Sequence, residues 1–176
     1  MNKKYEFVEG DEIVIAPGRT VKRIRALVAI SYFCSAGSLG GYIESEKSLD
    51  QSGDAWVSGN AQVYGNARVY GNARVYGDAW VSGDARVYGN AQVYGDAWVS
   101  GNGLIVWFSH VGSENGTLTA YNTKDNSIEV TRSCFKGSID EFLSASEKKH
   151  DDATHLEYRM LIEVAYSRIT KNRNAK

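Results

Sequence analysis

The chain has 176 residues, among them 18 Gly, a single Pro and two Cys, and its formal net charge is −1. Near-neutral charge excludes a global pull toward nucleic acid or an anionic membrane, and Cys34 and Cys134 are too few and too far apart for a disulfide framework, so free thiols are expected. The opening MNKKYEFVEGDEIVI lacks an apolar stretch of signal-peptide length and no run approaches a membrane span, so a soluble, cytoplasmic protein is expected.

Residues 1–36 read as an N-terminal β cap. Tyr5–Val8 and Glu12–Ala16 have strand composition, and Pro17-Gly18 supplies a turn before the next strand. Arg19–Ile30 alternates, with Ile24, Ala26, Val28 and Ile30 on one face and Arg23 and Arg25 on the other.

From Gly53 to Asn102 a unit of the form Gly-(Asn/Asp)-Ala-x-Val-(Tyr/Ser) recurs eight times without a gap. Ala and Val alternate with two variable positions, the mark of a strand with one buried face, and Gly followed by Asn or Asp turns the chain cheaply. A short strand and a corner every six residues describe one edge of a coil, which must stack on its neighbours to bury its apolar face. Counting in eighteens extends the array: coils are expected over 37–54, 55–72, 73–90 and 91–108, with one further edge to about 114. In that register Leu39 falls under Val57, Ile43 and Leu49 take Ala-type positions, and Ile105 and Val111 keep the Ala/Val phase.

Stacking by eighteen turns the variable positions into outward ladders. Trp56, Arg74, Gln92 and His110 line one face; Gln62, Trp80 and Trp98 the second; Arg68 and Arg86, beside Tyr70 and Tyr88 and ending in Leu104 and Val106, the third. Such rows of rings stabilise parallel strands without any ligand. They also consist of the residues enriched at binding hot spots.

After Asn115-Gly116 the period ends. Thr117–Tyr121 and Ser127–Thr131 suit a hairpin around Lys124-Asp125-Asn126, and Ser138 with Glu141 forms a capping box opening a helix through about Ser146. A longer helix is predicted from Asp152 to Ile169. One stripe on it holds Leu156, Met160, Leu161, Val164 and Ile169, and a second Tyr158, Ile162 and Tyr166. The final KNRNAK is expected to fray. The fold class is therefore mainly β: a cap (1–36), a hexapeptide β-helix (37–114) and a C-terminal hairpin with two helices (115–176).

The repeat resembles the hexapeptide-repeat, left-handed parallel β-helix family, in which three hexapeptides make one triangular turn; the left hand is implied by the resemblance. Members of that family include acyltransferases, which implies an alternative with His110 as general base toward acyl-CoA and Glu114 as the nearest carboxylate in sequence. The flanking segments RIRAL (23–27), GSLGGYIESEKSL (37–49), WFSHVGS (107–113) and VTRSCF (130–135) are similar to small hexapeptide-repeat proteins of phages and prophages. That resemblance implies a phage-encoded protein in the host cytoplasm, acting on a host component.

His150 and His155 have no third ligand near them in sequence, and no P-loop or dinucleotide fingerprint appears, so neither a metal site nor a cofactor is expected. Cys134 lies near Arg132, but a structural or buried thiol is favoured. Binding is favoured over catalysis: capture of a small anionic ligand, such as a nucleotide-type signal in counter-defence, or of a host protein. Arg23, Arg25, Trp107, His110 and Arg132 are the candidate contacts, because they flank the coil rather than lie inside its repeats. A structural virion or tail component is a further alternative. Two apolar stripes on one helix and the aromatic coil faces point to a homo-oligomer, with a trimer expected from the wider family.

Overall fold

Ala and Val of every hexapeptide point inward, and from Ala55 to Val99 all are essentially without solvent exposure. Each buried Val contributes roughly 1.5–3 kcal/mol, so the apolar column is what holds the coil shut. In the computed structural model, which describes residues 3–173, the repeats form β4 (Trp56–Val57), β5 (Gln62–Val63), β6 (Arg68–Val69), β7 (Arg74–Val75), β8 (Trp80–Val81), β9 (Arg86–Val87), β10 (Gln92–Val93) and β11 (Trp98–Val99). They pair in parallel with the predicted period: Val57 with Val75, Val75 with Val93, Val63 with Val81, Val81 with Val99, and Val69 with Val87. The result is a β-solenoid of about three turns.

The corner glycines explain why the period tolerates no substitution there. Gly77 has φ +80°, and a Cβ on it would lie 2.7 Å from the backbone nitrogen of Gly95 in the next coil. The Asn/Asp position beside each Gly adds a polar ladder: Asn60, Asn66 and Asn72 donate to Asp78, Asp84 and Asn90 at 3.0–3.1 Å.

The first coil departs from the expected register. β1 (Tyr5–Ala16) and β2 (Arg19–Ala26) form an antiparallel hairpin, and β2 pairs with β3 (Leu39–Ile43), which opens the coil. β1 is one strand with a register shift between Phe7 and Glu12, where two strands were predicted. Ile43 lies beside Val63 and Leu49 beside Val69, so both occupy Val-type positions, not Ala-type ones. Gly41 takes the Ala position, since a Cβ on it would lie 2.6 Å from the carbonyl of Ala61. Two residues beyond the period are absorbed between Leu49 and Val57, and Leu39 is left 53% exposed instead of under Val57. β2 also ends at Ala26, earlier than predicted, so Val28 is exposed while Ile30 is buried through a bridge to Cys34.

The far end differs as well. After Ser100 the chain makes a 3-10 turn (Asn102–Leu104) and leaves the coil as β12 (Ile105–Val111). β12 pairs antiparallel with β13 (Gly116–Asn122), which continues to β14 (Ile128–Arg132) and β15 (Phe135–Ser138) in a four-stranded sheet. The predicted edge to 114 is therefore not a coil edge. Its sequence keeps the phase, but its hydrogen bonds go to β13.

This sheet lies across the open end of the solenoid. Thr119 Oγ1 accepts from the Gln92 amide at 3.2 Å, the Tyr121 hydroxyl accepts from the Tyr94 amide at 3.2 Å, and Thr131 Oγ1 donates to the Gln92 carbonyl at 2.8 Å. At the opposite end Lys4 is buried, with its ammonium donating to the carbonyls of Ala55 (2.9 Å), Gly53 (3.3 Å) and Ser52 (3.4 Å). Both ends of the parallel ladder are thus closed by side chains.

On the sheet's outer face α1 (Ile139–Lys149) and α2 (Asp152–Arg173) form the second core. The Ser138/Glu141 capping box opens α1. α2 buries Tyr158, Ile162, Ala165 and Ile169, a face that mixes the two predicted stripes, and leaves Leu156, Met160, Val164 and Tyr166 exposed. Within KNRNAK, Lys171–Arg173 continue α2, and Arg173 Nε donates to Asn122 Oδ1 at 2.8 Å; 174–176 lie outside the described residues. No helix among the described residues is long and apolar enough to cross a membrane.

Candidate functional site

The residues singled out from sequence do not converge on one place. Arg23 is locked into the cap: its Nε pairs with Asp11 Oδ2 at 3.2 Å, its Nη1 donates to the carbonyls of Gly40 and Gly59 at 2.9 Å, and it stacks over Tyr42. Arg25 makes a solvated pair with Glu6 at 3.6 Å. Arg132 is buried between sheet and helix, with Nε to the Tyr158 hydroxyl at 3.1 Å, Nη2 to the Val111 carbonyl at 3.2 Å and Nη1 at 3.7 Å from Glu114.

His110 sits exposed on a bulge in β12 with φ +59°, and it does not stack over Gln92 as the ladder predicted, because Thr119 and Thr131 take that place. His110, Glu114 and Arg132 do border one polar cleft of about 360 Å³. Glu114 faces Arg132 there, and no described residue hydrogen-bonds the His110 ring. Cys134 is exposed rather than buried, because it follows Ser133, at φ +55°, in the turn between β14 and β15. His150 and His155 hydrogen-bond to Ser113 and Ser146, and no three metal-type ligands come together among the described residues.

Only Trp107 lies in the cleft with the most distinctive chemistry. It forms where the third coil face meets β12 and α2, and has a volume of about 460 Å³. Tyr70 and Tyr88 come from successive coils, and the coil spacing stacks their rings at 4.9 Å with planes 9° apart. Trp107 stands edge-on to Tyr88 at 4.5 Å and 88°, so the three rings make a continuous aromatic wall. The Asn102 side chain accepts from the Arg86 amide at 2.8 Å, replacing the coil strand that would have come next.

Two guanidinium groups border this wall, Arg86 from the coil and Arg168 from α2. Both residues are exposed, and neither has an acidic partner among the described residues. Elsewhere Arg19, Arg23, Arg25 and Arg132 face carboxylates and Arg74 is covered by Phe33, 3.7 Å from the ring centroid, while exposed Arg68, over Tyr70, and Arg159 also have no acidic partner among the described residues. The lining contains no carboxylate, imidazole or thiol. Such a cleft offers aromatic surface for a planar group and forked donors for an anion.

Reading the ladders as structural stacking left Tyr70, Arg86 and Tyr88 out of the sequence-based candidates. Arg168 carries no local signal, since its role comes from where α2 docks. One clue was readable: apolar Leu104 and Val106 end an otherwise polar ladder, and they are covered in the second core together with α2.

The repeats match the YdcK beta solenoid repeat over residues 61–77, 67–83 and 85–101. The similarity lies within the coil and extends to neither flank. No curated protein is similar enough to the chain to count as a match.

Proposed function

We propose that this is a non-enzymatic binding protein that captures a nucleotide-type ligand in the cleft between the third coil face and α2. The observation that carries the reading is the pair of unpartnered guanidiniums, Arg86 and Arg168, beside the Tyr70–Tyr88–Trp107 wall. A base or similar planar ring would rest against the aromatics, and the phosphate would meet the two arginines, each able to donate bidentately. A lining without carboxylate, imidazole or thiol favours retention of the ligand over its turnover. Taken with the phage-like flanks, the proposed setting is the host cytoplasm, where removing a signalling nucleotide would serve counter-defence.

Calorimetry of the intact protein against cyclic and linear nucleotides, with acyl-CoA and inorganic phosphate alongside, tests this. Losing one charge-assisted contact costs about 1.5–3 kcal/mol, so Arg86→Ala and Arg168→Ala are each expected to weaken nucleotide binding at least about tenfold. Arg25→Ala, on the distant cap, is expected to leave it unchanged. Absence of nucleotide binding, or binding indifferent to both substitutions, overturns the reading. Acyl-CoA binding with turnover lost in His110→Ala would favour the enzyme instead.

A further inference from the structure

The outward face of α2 has no partner within the chain. Leu156, Met160 and Val164, spaced by four, are 45%, 53% and 47% exposed, on the side opposite the buried Tyr158–Ile162–Ala165–Ile169 row. The charges beside this stripe are ordered along the helix. Arg159 and Glu163 flank Met160, while Asp152 stands at the N-terminal end and Lys171 at the C-terminal end, all of them exposed.

We propose that this face is a docking surface for a second copy of the same chain, with the two α2 helices antiparallel about a two-fold axis near Met160. The charge order selects the partner and its direction. In the antiparallel arrangement Leu156 of each copy meets Val164 of the other, Arg159 meets Glu163, and Asp152 approaches Lys171. Every contact occurs twice, because the surface is complementary to itself. Parallel helices would turn the Arg159/Glu163 flank toward the opposite flank of the partner, so these pairs would not form. A single pair of helices buries less than a standard interface of roughly 1,200–2,000 Å². The association is therefore concentration-dependent.

Light scattering and sedimentation of the full chain across the micromolar range test the proposal. The expected mass at high concentration is twice the 19.4 kDa of one chain. Met160→Asp is expected to abolish association without changing the thermal midpoint extrapolated to low concentration, since the side chain is exposed. Arg159→Glu creates two like-charge pairs and is expected to raise the dissociation constant at least about tenfold. The double variant Arg159→Glu/Glu163→Arg is expected to restore it. A wild-type monomer at about 100 μM, a three-fold mass, or failure of the double variant to recover association would overturn the proposal; micromolar-range affinity is what a small interface supports.

Discussion

Lys4 shows how one side chain substitutes for a missing strand. The first coil has no coil beneath it, so the carbonyls of Ser52, Gly53 and Ala55 would be left without donors, and the Lys4 ammonium supplies three hydrogen bonds at once. Burial lowers its pKa from 10.5 to about 8, against the opposing pull of Asp50 and Asp54. Burial raises the hydroxyls of neighbouring Tyr5 and of Tyr121 at the far cap well above the ordinary tyrosine value. The signs are opposite. Below pH 8 both folded and unfolded chains carry the lysine charge, and the folded state bears its desolvation cost. Between 8 and 10.5 the unfolded chain binds the extra proton, so the lysine contribution to stability rises with pH. Above pH of about 10 unfolded tyrosines ionise while Tyr5 and Tyr121 stay protonated, so their contribution falls. A scan of melting temperature is expected to climb from pH 8 toward 10 and then decline, and Lys4→Met is expected to remove the climb while keeping the decline.

Among the elements, the β13–β14 pair carries the C-terminal junction, because its hydroxyls receive the last coil's backbone. Tyr121 is fully buried, accepts from the Tyr94 amide and donates to Glu129 Oε2 at 3.0 Å. Tyr121→Phe is expected to cost about 1–3 kcal/mol by leaving a buried amide and a carboxylate oxygen unpaired; denaturant unfolding with an unchanged m-value would show it. Thr119→Val, which orphans the Gln92 amide, should act in the same direction.

This junction was not legible in the sequence, for a physical reason. Ile105 and Val111 keep the coil's phase, and side-chain phase reports which face is buried but not which strand the backbone pairs with. The helix capping box and the hairpin turn were legible because their signals are local. The coil itself was legible because each unit repeats the same demand for Gly, Ala and Val. The first coil was misread because its two additional residues interrupt no pattern between Leu49 and Val57. Of the candidate cleft, Trp107 was among the residues singled out from sequence, whereas Arg168 reaches it only through the docking of α2, which no local pattern announces.

At the scale of the whole molecule, the two caps are joined by units that differ little from one another. Duplicating residues 55–72 inserts one complete coil below β7 and leaves Arg86, Tyr88 and the C-terminal junction with their present neighbours. That variant is expected to fold, to lengthen by about one strand spacing, 4.8 Å, and to keep ligand affinity. Duplicating only 67–72 would turn the C-terminal end by one edge relative to the N-terminal cap, while Gln92, Tyr94, Thr119 and Tyr121, all beyond the insertion, keep their hydrogen bonds, so this variant is also expected to fold with an intact junction. Small-angle scattering distinguishes the two by shape, and differential scanning calorimetry checks that the C-terminal junction survives in both. The same closure at both ends has a consequence for inheritance. A tandem array can gain or lose units when its gene is copied, and only gains or losses of a whole coil return both ends to the same relative orientation. Whole-coil variants would therefore change only the distance between the two ends of the protein, and single-hexapeptide variants the angle between them.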